Sequence, residues 1–201
     1  MSEEIRPGYT RVTDILGQWN KDLVDDSGNV VAKVFSGSRT PIDINVLNNK
    51  ANIGTNVHKA IEGHLEGLDM PLVGREAKYF ESFKKWNAEV QCEFVENERR
   101  YYCDELMITG CIDALIRFSG SDELILMDFK TSASENPKIW PLQATMYHYL
   151  VTKSGRSISD RLLFLKLDGK GAKATVFEYT FTPQLLKVCK AAIFCHRYLN
   201  S

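Results

Sequence analysis

The sequence lacks most features that would place it at a glance. Its five cysteines, at positions 92, 103, 111, 189 and 195, form no CxxC pair and no even set. Neither a disulfide framework nor a zinc site is therefore expected, and the thiols read as free. No apolar run approaches the roughly 18 to 20 residues that a membrane-spanning helix needs. The opening "MSEEIRPGYT" has none of the basic-then-apolar pattern of a signal peptide, so the expected location is the cytoplasm. Internal repeats and low-complexity tracts are absent. A net charge of −1 gives no global signature of a nucleic-acid binder.

What is present suits one globular domain. The 201 residues are 44% hydrophobic and 25% charged, enough apolar material for a core and too little charge for wholesale disorder. The charge is unevenly spread. From Lys153 to the end there are nine Lys or Arg against three Asp or Glu, and the chain before it is correspondingly acidic. A basic flank beside an acidic site is what holding a polyanion next to bound metal requires. Ordinary solvated lysines account for the same count equally well.

Periodicity divides the chain. "YTRVTDILGQW" reads as a short helix, "VDDSGN" as a loop, and Ile42 to Asn49 as a second helical stretch. "GTNVHKAIEGHLEG" follows with Thr55 as the expected N-cap and Val57, Ala60, Ile61 and Leu65 at helical spacing. "REAKYFESFKKWNAEV" repeats that pattern, with an aromatic stripe of the kind that usually packs in a core. The period then drops to two, and "EFVENERRYYC", "MITGCIDALIRF" and "ELILMDFKT" predict three successive strands. A helix over "NPKIWPLQATMYHYLVTK", two more strands, and a last helix opened by Thr182 and Pro183 complete the order. That order is an α/β arrangement around a mixed sheet.

The chemistry gathers on the strands. Residues two apart on a strand share a face, so Asp128 and Lys130 in "MDFK" project together while Met127 and Phe129 point the other way. Asp113, in "TGCIDAL", lies one strand earlier, and Gly110 before it allows a bend or a close approach. If the two strands are neighbours, Asp113 and Asp128 converge on one hard cation, with the Phe129 backbone carbonyl as a third oxygen. Mg²⁺ or Mn²⁺ suits such a set. Lys130 then polarises a water or steadies charge building on a phosphate. Asp-x-Lys by itself is common by chance, and its neighbours have to carry the reading.

Those neighbours resemble the PD-(D/E)xK nuclease superfamily, in its RecB-like exonuclease branch. "GTNVH" with His58, "GCID" with Asp113, "DFK" with Asp128 and Lys130, and "QATMY" with Gln143 and Tyr147 occur in the order that branch shows. The resemblance runs from about Thr10 to the last strands. It implies a restriction-endonuclease-like core, αβββαβ, with a central mixed sheet flanked by helices. Residues 1–201 would form a single nuclease domain, in which 51–201 are the core and 1–50 an N-terminal helical segment capping the site.

The resemblance also implies roles. Metal ligation falls to His58, Asp113, Asp128 and the Phe129 carbonyl, and catalysis to Lys130 with Asp128 and Asp113. Glu98 matches an acidic position that often precedes the Gly-x-x-Asp strand, with Glu96 as its competitor. Gln143 and Tyr147, one helical turn apart, would orient the lysine or a phosphate, with Thr131 and Ser132 also contacting substrate. Glu62, four residues after His58, is a possible partner for it; His64, His148 and His196 fit no motif and read as structural. Trp140 is a candidate for base stacking, with core packing as the plainer account.

The expected cofactor is one or two Mg²⁺ or Mn²⁺ ions and no iron–sulfur cluster, since Cys189 and Cys195 have no CxxC companion. "YTRVTDIL" is similar to the N-terminal segment of phage nucleases and of mitochondrial genome maintenance exonucleases, whose N-terminal helices arch over the site. The implied protein is a metal-dependent DNA exonuclease using a metal-activated water on single-stranded DNA or DNA ends, in a bacterial or phage-infected cell, with roles such as repair or recombination. A non-catalytic DNA-end-binding subunit and an RNA nuclease remain as alternatives.

Overall fold

In chain order the elements are β1 (Thr10–Arg11), α1 (Val12–Gly17), β2 (Lys21–Val24), β3 (Val30–Val34), β4 (Ile42–Asp43), α2 (Ile44–Leu65) and α3 (Gly74–Glu89). There follow β5 (Cys92–Cys103), β6 (Ile108–Phe118), β7 (Ile125–Lys130), α4 (Trp140–Lys153), β8 (Arg161–Lys166), β9 (Thr175–Thr180) and α5 (Pro183–Leu199). These come from a computed structural model that describes residues 5–35, 38–68 and 70–201. Met1 to Glu4, Ser36 and Gly37, which the sequence reading places in the 1–50 segment, and Asp69, which it places in the 51–201 core, lie outside the described residues.

The central sheet is mixed and flanked by helices, as the αβββαβ reading expects. Five strands run β1-β6-β7-β8-β9, and β5 pairs with β6. β5 follows almost the whole length of β6 in antiparallel register, from Cys92 opposite Phe118 to Cys103 opposite Ile108. The other edge of β6 is shared: β1 takes Ile108 and Thr109, and β7 takes Ala114 to Ile116. Between those two pairings, Gly110 to Asp113 have no strand partner on that edge. β7 and β8 are parallel, joined by α4 as a crossover, and β9 returns antiparallel.

Alternation along the strands builds two core layers. Leu115, Leu126, Leu162 and Phe164 pack with α1, α4 and α5 through Ile15, Ala144, Leu150 and Ile193. Ala114, Ile116, Met127, Leu163 and Leu165 pack on the other face with α2 and α3 through Val57, Ile61, Phe83 and Trp86. Trp140 is buried in the first layer, stacked on Phe164 at 5.2 Å and edge-on to Phe177. Packing is thus its role, and base stacking at that residue is excluded. Among the described residues no helix is long and apolar enough to cross a membrane.

Two local readings are corrected. Helical structure holds at α1 and from Ile44 onward, and "VDDSGN" is the loop expected, but it turns a hairpin: the runs beside it and Ile42–Asp43, read as helical, form a three-stranded antiparallel sheet, β2-β3-β4. The turn of its hairpin is closed by Asp25, whose carboxylate accepts from the Ser27 and Asn29 amides, with Gly28 at φ +83°. Thr55 is not an N-cap either. Asp43 caps a continuous 22-residue helix by accepting from the Asn45 and Val46 amides, and Thr55 sits inside it. Gly54 inside that helix costs about 1 kcal/mol relative to Ala. Its bare Cα lets the helix approach the end of β7, where a Cβ would stand 3.2 Å from Thr131 Oγ1.

Gly110 does the same for α4. A Cβ there would lie 2.6 Å from Tyr147 Cε1 and 3.0 Å from Leu150 Cδ1, so the Tyr147 ring packs directly on the Gly110 backbone. Gly110→Ala should therefore lower unfolding free energy by about 1–3 kcal/mol, the usual range for overpacking a core. Chemical denaturation of the variant checks this. Trimming the ring in the double variant Gly110→Ala/Tyr147→Leu should recover part of the loss, whereas additive losses would contradict the contact.

Candidate active site

The open edge of β6 is where polar groups collect. Extending the β6–β7 register one step beyond Ala114 and Met127 sets Asp113 opposite Asp128, but the ladder stops there. Instead the Asp113 carboxylate accepts the Phe129 amide at 2.5 Å, replacing the missing strand bond. Opposite Asp113 on the other side, Glu98 interrupts the β5–β6 ladder between Asn97 and Arg99. Its φ of +44° is left-handed, rare for a non-glycine residue and worth about 1–3 kcal/mol of strain. The alternation slips at the same point, since Ile112 and Leu115, three apart, join one core layer.

That distortion turns Glu98 toward His58. The His58 Nδ1 lies 3.3 Å from Glu98 Oε1 and 3.4 Å from Asp113 Oδ1. Ligand atoms of His58, Glu98 and Asp113 all fall within 4.8 Å of one another. The other ring nitrogen, Nε2, is 3.1 Å from the Phe129 carbonyl. A carbonyl accepts only, so Nε2 carries the hydrogen and donates. Nδ1 is left facing two carboxylate oxygens, and a bare lone pair there would be repelled. Either a proton or a cation must stand at that corner. Buried Glu98 Oε1 has no aligned hydrogen bond among the described residues. One imidazole and two carboxylates, one of them undersatisfied, fit a divalent cation that accepts nitrogen and hard oxygen.

Asp128 and Lys130 form the second half of the site. Both project from β7 toward α4, as their spacing requires. The Lys130 ammonium is 2.5 Å from Asp128 Oδ2, donates to Gln143 Oε1 at 3.0 Å, and lies 5.1 Å above the Phe164 ring. Gln143 Nε2 reaches Asp128 Oδ1 at 3.4 Å and Tyr147 Oη at 3.1 Å. The pairing of Gln143 and Tyr147 on one helix face thus places an amide that grips both members of the Asp-x-Lys pair, and a phenol that props the amide.

The ionisation of these groups is shared. Burial is the largest influence on Asp128, and with Asp113 beside it the carboxyl is pushed up to about 7 despite Lys130. Burial also opposes ionisation of Asp113, but His58, Lys130 and the Phe129 amide outweigh it and hold its pKa below the usual range. For His58, burial favours the neutral ring, while Asp113 and Glu98 overcome it and hold the imidazolium well above its ordinary value.

Other expected residues fall in different places. Glu96 is taken by Arg99, Arg156 and the Tyr101 hydroxyl, which leaves the acidic position to Glu98. Glu62 makes no hydrogen bond or ion pair with His58 among the described residues. Ser132 bonds the Ser134 carbonyl at the exposed end of β7, next to Thr131. His148 stacks on Phe181 and faces Asp160, and His64 packs edge-on against Phe80 and Phe83. The basic surplus after Lys153 is partly spent: Lys153 and Lys190 share Glu105, Arg156 meets Glu96 and Lys173 meets Glu89, while Arg161 pairs with Glu178 inside the same segment. Lys166, Lys170 and Lys187 have no ion pair among the described residues. Sequence reasoning did not anticipate Cys111, whose thiol lies 3.7 Å from Glu98 Oε2 and is pushed up to about 12 by burial and that carboxylate.

No protein-family profile and no curated protein matches the sequence. Among solved structures, SSO0001 superposes with a TM-score of 0.44 and 16% identity, over 75% of this chain and 62% of its own. The alkaline exonuclease LHK-Exo from Laribacter hongkongensis superposes with a TM-score of 0.40 and 10% identity, over 72% of this chain and 77% of its own. The chain therefore spans less than two thirds of the length of the first of these. At such scores neither likeness bears on what the chain does.

The ionisation pattern sets a pH dependence. With pKa values raised in the folded state, Asp128 and His58 hold protons that the unfolded chain releases, so folding takes up protons from about pH 4 to above neutrality. Their contribution is present at low pH and lost as pH rises. Asp113, with its lowered pKa, acts with opposite sign only below its ordinary carboxylate range. In EDTA, thermal stability should fall between about pH 5 and 8, and Asp128→Asn should flatten the lower part of that fall. Added Mg²⁺ or Mn²⁺ should stabilise more at the higher pH, because the cation competes with these protons. A Tm in EDTA that climbs over this range would contradict the assignment.

Proposed function

We propose that the chain is a metal-dependent nuclease that hydrolyses phosphodiester bonds in DNA, acting on single strands or free ends. One observation carries the reading: a His58–Glu98–Asp113 cluster and an Asp128–Lys130–Gln143 cluster meet where β6 and β7 part. The first is a donor set for a hard cation, and the second fixes an ammonium beside it. The resemblance of "GTNVH", "GCID", "DFK" and "QATMY" to the RecB-like nucleases agrees with both halves.

The residues divide the work. His58, Glu98 and Asp113 would hold Mg²⁺ or Mn²⁺, as one ion or two, with Asp128 and the Phe129 carbonyl adding oxygens. When bound, such an ion supplies Lewis acidity and makes water a nucleophile near neutral pH. Lys130 presents its ammonium where negative charge builds on the reacting phosphate. Gln143 holds that ammonium in one rotamer, and Tyr147 holds Gln143. Thr131 and Ser132, at the rim, offer hydroxyls to the nucleic-acid backbone. Lys166, paired in register beside Lys130 on the parallel neighbour strand, extends the positive rim.

The test is cleavage of labelled single- and double-stranded DNA and of RNA, with either end blocked, in Mg²⁺, Mn²⁺ or EDTA. Single-stranded or end-bearing DNA should be degraded only with metal; cleavage in EDTA would sink the reading. Uncleaved but bound DNA would point to an end-binding subunit, and preferred cleavage of RNA to an RNA nuclease.

Lys130→Ala should lose roughly 10²–10³-fold in rate, the size of one electrostatic stabiliser. Mn²⁺ affinity by calorimetry should stay or rise, because a positive charge beside the cation is gone. Asp113→Asn should lose both cation and activity. A Lys130→Ala protein with near-normal turnover would reduce Lys130 to an ion-pair partner of Asp128.

Binding should also weaken steeply with salt. Replacing Lys166 and Lys170 with alanine should make the plot of log affinity against log salt shallower. Replacing Lys153 and Lys173, both already paired with glutamates, should change the slope little. Equal effects of the two pairs would show that the ion pairs do not decide which lysines meet phosphate.

A further inference from the structure

A cleft opens beside Gln143, with no carboxylate among the described residues that line it. It is lined by Leu16 from α1, Asn20 after it, Phe35 at the end of β3, Asn136 and Ile139 before α4, and Gln143 itself. Its volume is about 200 Å³. That is below the roughly 300–1,000 Å³ of sites that take drug-sized ligands, so its occupant is about the size of one ring system. The lining offers an aromatic face at Phe35, aliphatic walls at Leu16 and Ile139, and side-chain amides. This is the chemistry that receives a flat heterocycle with donors and acceptors on its edge.

The amides are not equivalent. Asn136 Oδ1 is used inside the protein, accepting from the amides of Lys138 and Ile139 at the start of α4. Its Nδ2 makes no hydrogen bond among the described residues and can only donate, which suits a ring carbonyl. Gln143 is fixed by Lys130, Asp128 and Tyr147, so this wall of the cleft is held rigid by the reactive site. An occupant against Gln143 is separated from Lys130 by one side chain.

We infer that this cleft seats a single unpaired nucleobase of the strand being cleaved, pyrimidine-like in presenting a ring carbonyl to Asn136, next to the phosphate that Lys130 serves. The inference rests on the nuclease reading and deepens it, because a base can enter only if it is out of the duplex. It makes single-strand selectivity a property of a cleft rather than of charge. It also gives the small β2-β3-β4 sheet a task, since β3 delivers Phe35 to the cleft.

Binding of fluorescein-labelled oligo(dT) and of an abasic oligomer of equal length, measured by anisotropy in EDTA, separates the two claims. The wild type should prefer the oligomer that carries bases. Phe35→Leu keeps apolar volume but removes the ring face, and should weaken oligo(dT) binding roughly five- to hundredfold while leaving the abasic oligomer unchanged. Phe35→Trp should restore it, which guards against simple misfolding. Asn136→Ser, which keeps a capping oxygen but removes the amide donor, should reduce the preference for thymine over an abasic residue. Base-indifferent binding, or equal losses on both oligomers, would overturn the cleft even if the protein cleaves DNA. Phe35-dependent binding of base-bearing strands without metal-dependent cleavage would support the cleft and overturn the nuclease reading. Failure to bind either oligomer would overturn the cleft.

Discussion

The bond from the Phe129 amide to the Asp113 carboxylate is the constraint from which the site follows. β6 and β7 run as an ordinary antiparallel pair through Ile116–Ile125, Leu115–Leu126 and Ala114–Met127, and then separate. A buried amide left without a partner at that point costs about 1–3 kcal/mol. A side-chain oxygen satisfies it, and so the ladder can end inside the protein instead of at its surface. Beyond the parting, the Phe129 carbonyl is free to accept from His58, and Lys130, the last residue of β7, donates to Gln143. Aspartate suits the position because its short carboxylate bonds the amide with one oxygen and faces His58 with the other.

Burying charge in this way is self-consistent only as a group. Asp113 and Asp128 are 8% and 2% exposed, and two carboxylates so placed would drive one another neutral. His58 and Lys130 supply the opposing charge, one to each carboxylate. The arrangement remains unequal, since Asp128 is pushed toward neutrality while Asp113 stays ionised. Paired charges in a dry interior seldom stabilise a fold relative to apolar side chains, and removal of one partner strands the other. A left-handed Glu98 adds backbone strain beside the same cluster. Strain and buried charge in one place are costs that the proposed binding or catalytic role would offset.

The parts legible in the sequence are those governed by period. Alternation along "ELILMDFKT" placed Asp128 and Lys130 together, and four-residue spacing placed Gln143 and Tyr147 together. Gly110 read as a point of close approach, and the Tyr147 ring is what approaches. The hairpin after α1 was also written in the chain: "KDLV" and "VVAKV" flank "DDSGN", a turn with Asp at its start and Gly in the left-handed position. The loop expected at "VDDSGN" is that turn, and the β-branched runs beside it were the signal left unread. Thr55 misled because a good capping residue inside a helix looks like a boundary, while the true cap, Asp43, lay twelve residues earlier.

Other features had no local signal. Nothing in "VENERRYY" favours Glu98 over Glu96; the choice is made by partners distant in sequence, since Arg156 and Tyr101 claim Glu96. The same holds for the basic surplus, which looked like a flank and is partly met by acids earlier in the chain, Glu105 facing two of its lysines and Glu89 a third. Net charge by segment counts residues, whereas a surface potential counts what remains after pairing.

Gln143 joins the two halves of the molecule. Its amide touches Asp128, Lys130 and Tyr147 and its side chain also lines the cleft beside Leu16 and Phe35. Because Oε1 accepts from Lys130 and Nε2 donates toward Asp128 and Tyr147, rotating the amide would break all three contacts at once. An occupant of the proposed cleft pressing on that wall would act on the position of the ammonium without touching it. α1 reinforces the arrangement from behind, with Val12, Ile15 and Leu16 buried in the layer that carries α4. The N-terminal segment is therefore packed into the scaffold of the site and not merely laid over it. A change that loosened α1 would reach Lys130 through α4 and Gln143.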